Sequence, residues 1–299
     1  MCEATVMTED FTLPYNLLEE DDLPTLIAKA VGTRPHTLTP LAGGMIGTVV
    51  RATFADGETL VVKHNPGEGA RLDIEAEMLR ALRLPDVIRV PDVLFASPTL
   101  LVQEFLPGDH LGPDAHADAG RQLALLHGVT SDRAGLGGTT LNGDLEIPSP
   151  WTDSWIAFFR EHRLRFTAEK ATPRLPAGFC DRIERLIARL DDLLIEPDAC
   201  SLLHGDVWSA NVLASGDHVT GFIDPSTCYG DPELELAYAT RFSNLGEAFL
   251  NAYTAIRPLA PGFIERAAVY AVYPALMHVY YFGDRYVPTL DRLLAESGV

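Results

Sequence analysis

Up to about residue 107 the apolar positions alternate with polar ones in short runs, and beyond it they recur mostly at helical spacing. The segment "HTLTPLAGGMIGTVVRATFADGETLVVKHN", residues 36–65, predicts three strands, with a Gly-rich turn over Gly43, Gly44 and Gly47 and a tight turn at Asp56-Gly57. A helix fits "EGARLDIEAEMLRALRL", and "PDVLFASPTLLVQEFLPGD" predicts two more strands around Ser97-Pro98. After Pro107-Gly108 helices fit "DAHADAGRQLALLHGV", "WTDSWIAFFREHRLRFTAEKA", "GFCDRIERLIARLDDLL" and "PGFIERAAVYAVYPALMHVYYFGDRYV". The stretch "SLLHGDVWSANVLASGDHVTGFIDP" interrupts these helices and predicts short strands. The expected architecture is α+β and bilobal: residues 1–107 form a small antiparallel-sheet lobe with one main helix, and residues 108–299 a larger, mostly helical lobe. "QEFLPG" joins them, and a cleft between two lobes is a favoured place for a ligand.

A length of 299 residues suits two lobes, and no apolar run reaches the roughly 18 residues that a membrane helix needs. The acidic start "MCEATVMTEDFTLPYNLLEEDDLP" does not resemble a secretion signal, so a cytoplasmic location without membrane association is expected. Cys2, Cys180, Cys200 and Cys228 are far apart and form no C-x-x-C pair, which argues for free thiols rather than a zinc site or a disulfide framework. With 23 basic and 42 acidic residues the formal charge is −19, which opposes nucleic-acid binding. An anionic ligand would have to be held by a few cations, by backbone N–H groups or by a metal.

Such devices are present in the pattern. Asp206 and Asn211 stand in "DVWSAN", the D-x-x-x-x-N spacing of phosphotransferase catalytic loops, where the Asp takes the proton of the attacking hydroxyl and the Asn carbonyl binds magnesium. Spacing alone fits a turn equally well. The continuation "NVLASGDHVTGFID" reads as a hairpin turning at Ser215-Gly216-Asp217, and it brings Asn211 beside Asp224. One amide and one carboxylate suit a magnesium ion that keeps the rest of its shell for phosphate and water. In the small lobe Lys63 lies in an apolar strand, either as an edge lysine extending to solvent or as a phosphate-binding cation. Glu75, Met78, Leu79 and Leu82 fall on one helical stripe while Asp73, Glu77 and Arg80 share the other, so Glu75 faces inward and needs a partner, for which Lys63 is suited.

These residues carry a family resemblance. "LLHGDVWSANV", "FIDPSTCYGDPELELAYA" and "YPALMHVYYFGDRYV" resemble the fructosamine kinase (ketosamine-3-kinase) family, whose protein-kinase-like fold is shared with aminoglycoside and choline kinases. The resemblance extends from about Leu41 to about Leu290. It implies ATP and Mg2+ as cofactors, Asp206 as catalytic base, Asn211 and Asp224 as metal ligands, and Lys63 with Glu75 at the phosphates. It also implies a hinge at Glu104 and Leu106 whose backbone meets adenine. The implied reaction transfers a phosphoryl group to the 3-hydroxyl of a small-molecule ketosamine, or glycated amine, in deglycation repair. Two departures from the family pattern, Asp231 where a His is usual and the segment "NGDLEIPSPW", concern the acceptor side. Asp231-Pro232-Glu233 also fits a helix start, and Glu235 and His204 fit braces for the catalytic loop. Trp208 could meet the acceptor or pack in the core, and His278 and Tyr281, a turn apart, could line the same side or pack likewise. A kinase of another amine-bearing acceptor, such as an aminoglycoside or amino alcohol, and a non-catalytic nucleotide-binding module remain as alternatives; oligomeric state is open.

Overall fold

The computed structural model describes residues 22–41, 47–83, 85–243 and 245–299. It opens with helix α1 (Leu23–Val31), capped by Asp22, whose carboxylate accepts from the Thr25 amide at 2.9 Å. Strands β1 (Thr37–Pro40), β2 (Thr48–Thr53), β3 (Thr59–His64), β4 (Val93–Ala96) and β5 (Leu100–Glu104) form an antiparallel sheet in the order β1-β2-β3-β5-β4. Its two faces follow the period-2 alternation of the sequence. Val50, Ala52, Leu60, Val62, Leu100 and Val102 pack with Leu26 and Ile27 of α1. The opposite set, Val49, Arg51, Val61, Lys63 and Gln103, lines a cleft.

Helix α2 (Leu72–Arg83) crosses between β3 and β4. Its stripe is the one read from the sequence: Met78, Leu79 and Leu82 are buried, whereas Glu77 and Arg80 are exposed. Ile74 and Met78 pack with Leu141 from the second lobe.

That lobe contains β6 (Asp109–His110), α3 (His116–Leu126), β7 (Thr130–Ser131), β8 (Gly138–Asn142) and β9 (Leu145–Ser149). Next come α4 (Trp155–Phe159), a π-helical turn (Arg160–Arg165), α5 (Phe166–Ala171), α6 (Phe179–Ile187) and α7 (Leu190–Leu193). The chain continues through β10 (Cys200–Leu203), β11 (Val212–Ser215), β12 (His218–Phe222) and β13 (Cys228–Gly230), then α8 (Pro232–Arg241), α9 (Glu247–Thr254), α10 (Phe263–Phe282) and α11 (Val287–Glu296). Small sheets β13-β10-β7 and β12-β11-β6 lie against this helical body. Among the described residues no helix is long and apolar enough to cross a membrane. Cys180 is exposed and Cys200 and Cys228 are buried, all as free thiols; Cys2 lies outside the described residues.

The mostly helical lobe also holds a strand pair to which the sequence pattern assigned no element. The stretch Gly138–Ser149 is a β-hairpin, β8 paired with β9 around Asn142 and Leu145. Its two turn residues, Gly143-Asp144, are a hairpin dipeptide with Gly143 at a positive φ of 56, but the flanking runs are short and broken by Pro148. The hairpin is held by tertiary contacts: Leu145 and Ile147 pack on Met277 of α10, and Leu141 packs on α2.

The helical body is also joined by a buried ion pair. Arg266 of α10 donates to both carboxylate oxygens of Glu233 at 2.6 Å, with side chains 7% and 10% exposed. Arg266→Met, which leaves Glu233 uncompensated, is expected to lower unfolding free energy by about 3–5 kcal/mol, whereas adding Glu233→Gln recovers part of that loss. Chemical denaturation of the single and double variants checks this.

Candidate active site

The β11–β12 hairpin sets the polar centre. Val212 pairs with Phe222, and the Ile223 amide donates to the Asn211 carbonyl at 2.9 Å, so Asn211 and Asp224 emerge together at one end. The Asn211 side-chain amide donates to Asp206 Oδ2 at 2.9 Å, to the Asp206 carbonyl at 3.1 Å and to the Asp224 carbonyl at 3.4 Å. Its side-chain oxygen has no protein partner among the described residues. Lys63 Nζ donates to Glu75 Oε1 at 2.6 Å and to Asp224 Oδ1 at 2.5 Å. The lysine thus meets the partner expected from α2 and a second carboxylate, from the other lobe, that the pattern reading did not pair with it.

The charges perturb one another. Burial disfavours the Lys63 ammonium, but Asp224 and Glu75 outweigh it and hold its pKa above the usual lysine value. Burial raises the Glu75 pKa; Lys63 pulls it back and Asp224 adds to the rise. Asp206 is pushed up to about 7 by desolvation at the cleft floor, opposed by its contacts to the Tyr238 hydroxyl and Asn211 and assisted by the charge of Asp224.

A rigid brace holds the loop. Gly205 has φ +87, and a Cβ there would stand 1.9 Å from the Ser226 carbonyl oxygen, so only glycine fits this turn. Asp224 itself adopts a left-handed φ of 54, a strained backbone for a residue with a Cβ. Glu235 of α8 accepts from the Gly205 amide at 2.5 Å, from the His204 amide at 3.1 Å and meets His127 Nε2 at 2.9 Å. His204, fully buried, contacts the Asp206 amide through Nδ1 at 3.3 Å. Both residues therefore occupy the bracing positions expected of them. Asp231 caps α8 as its sequence suggested, accepting from the Glu233 amide at 2.9 Å; its other oxygen accepts from the Tyr270 hydroxyl at 2.7 Å. Burial pushes its pKa up to about 6.

Lys63, Glu75, Asp206, Asn211 and Asp224 line a cleft of about 1130 Å³. Trp208, 41% exposed, lines it and is not a core residue. His278 also lines it while stacking on Tyr286 at 4.6 Å between ring centroids; burial, with the nearby Arg285, pushes its pKa down to about 4, so it is neutral at pH 7. The Tyr281 hydroxyl donates to the Asn142 carbonyl and accepts from the Leu145 amide at 3.2 Å, which ties α10 to the hairpin tip while the ring faces the cleft. Leu106 is buried at the cleft wall, and Glu104 turns its carboxylate to Arg89 and the Asp92 amide. Gly47 has φ 76, with a Cβ position 2.5 Å from the His64 carbonyl oxygen; Gly43 and Gly44 lie outside the described residues. The sequence reading missed Tyr238, which α8 presents to Asp206: burial and then Asp206 raise its pKa. Only the helical register from the Asp231 cap could have pointed to it.

The sequence model of the fructosamine kinase family matches residues 22–297. The chain belongs to the fructosamine kinase family. A probable ketoamine kinase of Synechocystis is 34% identical over 258 residues, 81% of this chain and 84% of that protein. The crystal structure of a candidate fructosamine-3-kinase from Thermobifida fusca superposes with a TM-score of 0.82 at 27% identity, covering 92% of this chain and 98% of that one. An aminoglycoside phosphotransferase in ternary complex with AMP-PNP and hygromycin B, 17% identical, gives a TM-score of 0.61 over 92% of this chain and 96% of its own, a likeness of fold alone. This fructosamine kinase family member is accordingly a sugar-amine kinase, a phosphotransferase acting on a hydroxyl group, with the protein-kinase-like fold.

In this family member no cluster of three or more His, Cys, Asp or Glu side chains able to hold a metal occurs among the described residues. The free Asn211 oxygen and the Asp224 carboxylate form a hard, two-oxygen donor set. Such a pair fits magnesium shared with phosphates better than zinc. Because the loop geometry depends on Gly205, Gly205→Ala is expected to cut turnover by about 10²-fold or more through misplacement of Asp206. Steady-state kinetics, with circular dichroism to verify folding, checks it.

Proposed function

We propose that this protein is an ATP- and magnesium-dependent kinase that phosphorylates the 3-hydroxyl of a ketosamine, acting in repair of glycated amines. The observation that carries this reading is the continuous polar path Glu75–Lys63–Asp224 and Asn211–Asp206 along the cleft floor, with Trp208 exposed beside it. It is supported by membership of the family and by the nucleotide bound to the aminoglycoside phosphotransferase of the same fold.

In this reading Lys63, oriented by Glu75, contacts the nucleotide phosphates, and the Gly-rich segment that ends at Gly47 is assigned to them from its sequence. The backbone at Glu104 and Leu106 receives the base. Magnesium, when bound, neutralises charge between the phosphates, and Asn211 and Asp224 are the residues that would hold it. Asp206, with one oxygen fixed by Asn211, orients the acceptor hydroxyl and takes its proton. Trp208 offers a ring face to the sugar, and His278 and Tyr281 close the acceptor side. The chemistry is mainly position and electrostatics, as in other phosphoryl transfers.

Asp206→Asn is expected to lower turnover by about 10²-fold or more while nucleotide affinity stays near the wild-type value. Coupled ADP-release kinetics together with nucleotide-binding calorimetry measures both, and near-wild-type turnover would exclude Asp206 as the base. The acceptor itself is tested by the same assay across fructosamines, ribulosamines, free sugars, amino alcohols and aminoglycosides. Selective turnover of ketosamines is expected; preference for an aminoglycoside or amino alcohol overturns the substrate assignment.

A further inference from the structure

The cleft-facing side of the sheet carries a polar group that no protein contact satisfies. Gln103 of β5 is only 2% exposed, and its side-chain oxygen Oε1 has no hydrogen-bond partner among the described residues. A buried amide left in this condition is unfavourable, and native interiors pair such groups with rare exceptions. Its placement suggests the ligand. Gln103 is in register with Val61, which is in register with Arg51, and all three line the cleft. Lys63 lies one pleat further along β3, opposite Leu101. At about 3.4 Å per residue the Gln103 row is displaced by roughly 7 Å from the lysine. A ligand whose phosphates meet Lys63 therefore places its base near Gln103.

The surroundings suit a flat ring with one polar edge. Val49, Val61, Leu106, Leu213 and Ile223 also line the cleft, so Gln103 stands beside apolar side chains, with Arg51 two strands away in the same row. A carboxamide presents one acceptor and one donor side by side. Adenine offers the complement on its N6–N7 edge, an amine donor beside a ring acceptor, and glutamine pairs with that edge in two hydrogen bonds. A 6-oxopurine offers two acceptors there, which a carboxamide cannot match.

We infer that Gln103 reads the nucleobase in this protein, its carboxamide accepting from N6–H and donating to N7 of adenine, so that adenine nucleotides are selected over 6-oxopurine nucleotides. The inference rests on the reading of the cleft as a nucleotide site. It assigns base selection to a side chain, in addition to the backbone at Glu104 and Leu106.

Isothermal titration calorimetry with ADP, 7-deaza-ADP, IDP and GDP tests this without turnover. Wild-type protein is expected to bind ADP about tenfold or more tighter than 7-deaza-ADP, which lacks the N7 acceptor, and to disfavour IDP and GDP by at least as much. Gln103→Met keeps the length and volume of the side chain and removes both polar atoms; it is expected to bring ADP and 7-deaza-ADP to the same affinity. Equal wild-type affinity for ADP and 7-deaza-ADP overturns the assignment, as does a Gln103→Met protein that keeps the discrimination. Should the variant fail to fold, the wild-type series alone decides. A protein that binds no adenine nucleotide sinks the nucleotide reading itself, which is distinct from one that binds ADP without regard to N7.

Discussion

The site is organised around the recessed ammonium of Lys63, held between carboxylates that come from two different parts of the chain. Glu75 arrives from α2 of the sheet lobe and Asp224 from the end of β12 in the helical lobe. A recessed cation needs such partners, since desolvation alone would favour its neutral form. The consequence is mechanical as well as electrostatic. Strand β3, helix α2 and the far end of β12 meet at one nitrogen, so the relative placement of the sheet and the β11–β12 hairpin is set on the cleft floor. The same cluster has an excess of acid: one lysine stands against the two carboxylates of Glu75 and Asp224. In a chain of formal charge −19 that centre would repel a nucleotide's phosphates, and a divalent cation on Asn211 and Asp224 would offset the imbalance.

Around that pin, backbone strain is held by buried hydrogen bonds. The left-handed conformation at Asp224 and the close approach of Gly205 to Ser226 are unfavourable in isolation. They persist because Glu235 gathers two backbone amides and His127 into one carboxylate, and because α8, which carries Glu235, is itself fixed at its start by Asp231 and Tyr270. A second tether runs through the β8–β9 hairpin. Arg71, just before α2, donates to Glu146 at 3.0 Å, Leu141 packs on Ile74 and Met78, and Tyr281 grips the hairpin tip. The helix that positions Glu75 is thus supported from the acceptor side of the cleft.

The sequence made the nucleotide half legible for a physical reason. A charged residue placed on a buried stripe must be paired, so Glu75 announced a partner, and the D-x-x-x-x-N spacing followed by a hairpin placed Asn211 beside Asp224. Those inferences use local periodicity, which survives folding. What the sequence left dark depends on contacts between distant segments. Lys63 meets Asp224 across 161 positions, a pairing that no period encodes. Tyr238 reaches Asp206 only because α8 is anchored at Asp231. The β8–β9 hairpin, with its Gly143-Asp144 turn, carries no clear pattern of its own because its strands are short and draw their stability from α2 and α10.

The α10 wall of the cleft follows a different design from its charged floor. Where the floor relies on fixed charges, the wall is built from aromatic rings: His278 stacks on Tyr286, touches Phe242 and Phe282, and is kept neutral by its burial. Rings of this kind recognise the faces of a sugar and tolerate variation in what is attached to it, because stacking depends on shape more than on a defined set of donors. In the proposed reading, the charge of the attached amine is met by the carboxylate of Asp206 on the cleft floor rather than by the rings. An acceptor that combines a sugar face with a nearby cation meets both conditions. A neutral sugar meets only the first, so under the proposed reading a ring-lined surface beside a carboxylate favours sugar amines over free sugars.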